Sequence, residues 1–68
     1  MSPGDELVEI AAEIDSLAER LADRSLELLR SALDSGPKGP DALAERSVTR
    51  ARRALEKASA VLRAVSLD

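Results

Sequence analysis

Ala44, Val48, Ala51, Leu55, Ala58, Leu62 and Val65 follow one another at alternating spacings of four and three residues. That heptad confines the second half of the chain to an α-helix with small residues along one seam and larger aliphatics along the next, a pattern suited to close packing against another helix. The first half carries a second amphipathic pattern, so the sequence predicts two helices folded into a hairpin.

Their ends are legible. Ser2 suits an N-cap, Pro3 the first helical position, and Asp5 and Glu6 complement the positive end of the helix dipole. Ser2-x-x-Asp5 has the form of a relaxed capping box. Ser35-Gly36-Pro37 reads as a stop, with Gly36 suited to the left-handed position after a helix and Pro37 unable to continue it. Gly39-Pro40-Asp41 then reads as a second start. The expectation is one domain over 1–68: helix 1 about 3–35, a loop about 36–39, and helix 2 about 40–67. So short a loop makes the helices antiparallel.

On a helical wheel, helix 1 shows an apolar arc about 180° wide. Ile10, Leu17, Leu21 and Leu28 lie along one edge and Val8, Leu26, Leu29 and Leu33 along the other. Leu7, Ala11, Ile14, Ala18, Ser25 and Ala32 run between them. Helix 2 adds Leu43, Ala54 and Val61 beside its heptad, an arc of about 140°. Both arcs exceed what one partner helix covers. A chain of 68 residues without cysteine has neither the size nor the disulfides to be stable on a modest core, and oligomerisation is the remaining device. The expected fold is therefore all-α, an antiparallel two-helix hairpin that homodimerises into a four-helix bundle. Its dimer or core interface is expected to include Ile10, Ile14, Leu17, Leu21, Leu28, Leu29, Val48, Ala51, Leu55, Ala58, Leu62 and Val65.

Composition removes many chemistries. With no Cys and no His, thiol nucleophiles, Ser–His–Asp sets and the commonest metal ligands are impossible. No Phe, Tyr or Trp offers a stacking platform for bases or flavins. Gly36-Pro37-Lys38-Gly39 is turn chemistry and not a phosphate loop, because no strand precedes it. No catalytic residue, cofactor or metal is expected. Glu6, Glu9 and Glu13 form a carboxylate row that lacks the histidines of a di-iron bundle and reads as a solvated face. The start of the chain lacks a basic segment followed by an apolar stretch, and no apolar run suffices for a membrane span. A cytoplasmic location without membrane partners is the expectation.

The net charge of −3 conceals an asymmetry. Residues 1–35 hold nine acids and three bases, whereas 36–68 hold four acids and seven bases. Arg46, Arg50, Arg53 and Lys57 share one flank of helix 2, a stripe that would suit phosphates. The acidic balance and the missing aromatics weigh against nucleic acid as a partner. Ion pairs from this stripe to Glu19, Asp23 and Glu27 at the same height on helix 1 are the expected alternative. Asp15 and Ser25 interrupt the apolar arc of helix 1. Asp15 is expected at the rim in contact with water, or else fixing dimer register against an Arg of the other chain. For Ser25 a bond to the carbonyl one turn back is expected.

Glu9-Ile10-Ala11-Ala12-Glu13-Ile14-Asp15-Ser16-Leu17 resembles the first helix of the all-helical chorismate mutases. Ala11 and Ala12, however, stand where that family carries the Arg that grips a substrate carboxylate. In architecture, though in no motif, the hairpin is similar to the plasmid-encoded Rop hairpins, which dimerise into four-helix bundles and bind RNA. The expected function is a non-enzymatic, self-associating assembly module. The alternatives are a small nucleic-acid-binding regulator using the stripe of helix 2, or a hairpin that docks on a larger protein, which could be another helical one.

Overall fold

A computed structural model of the chain describes residues 2–66. Two helices make up the architecture, α1 (Pro3–Ser35) and α2 (Pro40–Ser66). The expected end of helix 2 at Leu67 lies outside the described residues.

Sequence-local chemistry sets the boundaries. Ser2 adopts an extended conformation, and its hydroxyl accepts a hydrogen bond from the Asp5 amide at 3.3 Å. The Asp5 carboxylate in turn accepts from the Ser2 amide at 3.4 Å, so the capping box is reciprocal. At the other end of α1 the Gly36 amide donates to Ala32 O at 2.8 Å. Gly36 has φ 91° and ψ 166°. Its φ is positive as expected, but its ψ is extended rather than left-handed helical, a region essentially reserved for glycine. The Gly39 amide closes the turn on Gly36 O at 3.2 Å, and Gly39 O accepts the Leu43 amide as the first bond of α2. A Cβ on Gly39 would lie 3.1 Å from Ser35 O, so this position is sterically tight as well. Arg46 reaches back to donate to Pro37 O at 3.2 Å, pinning the turn to α2.

The helices pack antiparallel, as the cross-helix bonds from Ala11 to Ser59, Asp15 to Arg63 and Ser25 to Glu45 require. In α1 the seam is a heptad in which bulky and small residues alternate. Leu7, Ile14, Leu21 and Leu28 are half-buried, while Ala11, Ala18 and Ser25 are buried. Small side chains in every second seam position allow the backbones to approach closely. In α2 the half-buried Val48, Leu55 and Leu62 alternate not with alanines but with Glu45, Arg52 and Ser59.

This core is thin. Its buried apolar members are Ala11, Ala18 and Ala42, and among the described residues no large side chain is fully buried. The molecule is a rod of 50 × 14 × 12 Å with a radius of gyration of 15.4 Å, against about 11 Å for a compact domain of this length.

Candidate functional site: an uncovered aliphatic face

Antiparallel heptads give the rod two broad faces, because residues just before one seam row on both helices share one side and those just after the other share the opposite side. On the first side lie Ile10, Leu17 and the half-buried Ile14, Leu21 and Leu28 of α1, with Ala44, Val48, Ala51, Leu55, Ala58, Leu62 and Val65 of α2. Leu17, Leu21 and Leu55 line one open groove there, bordered by Arg20 and Arg24. Ile10, Leu17 and Val65 are 39%, 45% and 53% exposed, and Val61 on the outer margin is exposed too. Ala44, Ala51 and Ala58 are exposed as well.

The alanine row that marks helix 2 in the sequence therefore does not form the seam with α1. The hairpin turns α2 so that the neighbouring row of Glu45, Arg52 and Ser59 faces α1, and the alanines are left on an open surface. Leu29 is separated from the other expected interface residues: it lies on the opposite side, in a groove near the turn with Leu33, Ala32, Ala42 and Glu45. Leu26, Leu33 and Leu43 are exposed away from the main aliphatic face.

The second side carries the hydrogen bonds that join the helices. Ser25 donates to Glu45 Oε1 at 2.8 Å, and Thr49 donates to the same oxygen. Ser25 does not bond to its own helix as expected; its hydroxyl instead joins α1 to α2. Thr49 first, and Ser25 second, hold the Glu45 carboxyl below its ordinary value, with Arg46 and Arg52 adding to the effect. Near the open end Arg63 donates to the Asp15 carboxylate and, through Nε, to Ser59 Oγ at 3.3 Å. Ser59 donates to Ala11 O at 3.4 Å. The neighbouring Ser59 hydroxyl, together with Arg63, lowers the Asp15 pKa. The partner of Asp15 is thus an arginine of its own chain. Arg52 is the imperfect member: its Nε is 3.8 Å from the Glu56 carboxylate and is buried without a hydrogen-bond partner.

The basic stripe lies on the outer margin of α2. Arg46, Arg50, Arg53 and Lys57 are all exposed, and three of them border an open groove with Glu45 and Thr49. The expected ion pairs to Glu19, Asp23 and Glu27 are not formed among the described residues, and Glu27 pairs with Arg24 one turn earlier at 2.6 Å. Equal height on the rod does not by itself bring these groups together. In the rod both sets point outward from the seam, away from each other. Glu6, Glu9 and Glu13 are exposed, and no cluster of three or more acidic residues among the described residues is arranged to hold a metal ion.

No family model, curated protein or solved structure matches this chain. Among the described residues no helix is long and apolar enough to cross a membrane.

Proposed function

We propose that the chain is a non-enzymatic assembly module whose aliphatic face is covered by a second copy, giving an antiparallel four-helix bundle. The observation that supports this reading is the aliphatic face left open on the hairpin. The accessible surface is 5069 Å², whereas a compact monomer of 7.2 kDa exposes about 4,100 Å². The excess is close to the ~800 Å² that each partner contributes to a standard interface. Leu17, Leu21, Leu55 and Leu62 are the residues on which association depends, and no side chain has a catalytic part.

Sedimentation equilibrium and circular dichroism over a dilution series test the proposal. The expected result is a dimer mass at high concentration with helicity lost on dilution. A fully helical monomer that stays monomeric throughout would overturn it, and would favour docking on a different helical protein.

The second reading, a small regulator that binds nucleic acid along α2, is favoured by one observation: Arg50, Arg53 and Lys57 have no ion-pair partner among the described residues. Binding of RNA or DNA at about 50 mM salt, weakening steeply as salt rises and lost in an Arg50→Glu/Arg53→Glu variant, is the result this reading requires. Absence of binding at that salt removes it.

A further inference from the structure

We infer that in the assembly the two hairpins lie with their turns at the same end, each α1 packed against α2 of the other copy. This orientation presupposes the self-association proposed above. Two hairpins stacked face to face through a two-fold axis have two arrangements in which all neighbouring helices run antiparallel. With the axis along the rod, α1 lies over the partner copy's α2 and the turns are together. With the axis across the rod, α1 lies over α1, α2 over α2, and the turns sit at opposite ends.

Side-chain size separates the two. The outermost row of the aliphatic face on α1 is Ile10, Leu17, Arg24 and Ser31; on α2 it is Ala44, Ala51, Ala58 and Val65. In the same-end arrangement both new seams are identical, and each sets Leu17 beside Ala51 and Ala58 and Arg24 beside Ala51, with Ile10 level with Val65 at the open end. Large meets small in the middle of each seam, at Leu17, which favours even packing there. In the opposite-end arrangement one seam is alanine against alanine. The other brings Arg24 against Ile10 or Leu17, bulkier neighbours than the Ala51 it meets in the same-end arrangement, so its guanidinium, exposed with Glu27 in the free hairpin, has less room to reach water.

Charge selects the same arrangement independently. The margin of the aliphatic face on α1 carries the exposed Glu6, Glu13 and Glu27, with Arg20 in the same row and Arg24 just inside it. Beyond the margin of α2 stand Arg50 and Lys57. Across the whole helices α1 holds nine acids to three bases and α2 three acids to six bases. Turns at the same end place every acidic helix between two basic ones. Turns at opposite ends lay acidic helix beside acidic helix and basic beside basic, so the many small exposed terms all oppose that choice.

The chain has no cysteine, so one introduced thiol carries a unique spin label. Lys38→Cys places it in the exposed turn, and Glu9→Cys, on an exposed position of α1, marks the open half. Pulsed dipolar distances are measured on each labelled variant at a concentration where sedimentation gives a dimer. For Lys38→Cys the expected label separation is well under half of the 50 Å rod length, and for Glu9→Cys the separation is short as well. A Lys38→Cys separation approaching the full rod length, with the dimer mass intact, overturns the orientation and leaves the dimer standing. A monomer mass for the unlabelled chain removes both.

Discussion

The two long faces of this hairpin are built from the same heptads yet treated oppositely. On one, Asp15, Ser25, Glu45, Thr49, Ser59 and Arg63 bind one another across the helices. On the other, Ile10, Leu17, Ala51, Ala58 and Val65 meet no polar tie and are left in the open. Hydrogen-bonding groups need specific partners, whereas aliphatic surface needs only cover. The polar groups can therefore be satisfied within the chain, and they fix how α2 is rotated on α1, although Leu29 and Leu33 near the turn stay exposed on that side. That rotation is what presents the alanines and leucines of the opposite side as a single surface.

The difference can be broken most severely from the aliphatic side. A Leu17→Glu/Ala58→Glu variant puts charge where an interface requires none, and uncompensated burial costs several kcal/mol. The dimer is expected to dissociate by at least about 100-fold in Kd, read by sedimentation, with helicity falling at micromolar concentration. An unchanged mass would show that this face is idle.

Ala18→Leu comes next. Ala18 is 7% exposed at the seam, and overpacking there costs roughly 1–3 kcal/mol although the side chain becomes more apolar. The measurement is a urea midpoint. Ala12→Leu, a like change at an exposed position of α1 outside both the seam and the aliphatic face, should not lower it.

Arg52→Met sharpens the account of the polar side. The buried Nε without a partner is removed while the aliphatic stem is kept, so stability should rise by about 1 kcal/mol. A loss of stability would mean that the contact with Glu56 matters more than its 3.8 Å separation suggests.

The smallest effect is acid dependence. Asp15 and Glu45 have depressed pKa values in the folded chain relative to ordinary values of 3.8 and 4.5. Their contribution is complete above those values and is lost as pH falls through the lower, folded ones. Tm should drop modestly as the solution is acidified below about pH 4.5. In an Asp15→Asn/Glu45→Gln variant the drop should be shallower.

Much of this was legible in the residues. Ser2, Pro3, Gly36 and Pro40 stand at the helix ends, and the central row of α1 identified on the wheel is the row that packs. The rotation of α2 was not legible. Hydrophobic periodicity gives weight only to apolar positions, so it selects Ala44, Ala51 and Ala58 over Glu45, Arg52 and Ser59. Polar side chains at a seam cost little once partnered, and their partners lie 20 and 48 residues away. The clue was in α1, where Ser25 and Asp15 interrupt the apolar arc and require matching groups opposite. The direction in which the basic stripe projects was hidden for a related reason. Matching residues by distance from the turn fixes their height on the rod but not the direction in which they project.

Gly36 has a larger part than its size suggests. Every contact between α1 and α2 is equally available between the first half of one molecule and the second half of another. What keeps the pairing within a single chain is the backbone reversal that begins at a residue with φ 91°. Were Gly36, Pro37, Gly39 and Pro40 exchanged for strong helix formers, one uninterrupted helix would replace the bend, and two molecules would have to trade halves to satisfy the same hydroxyls and carboxylates.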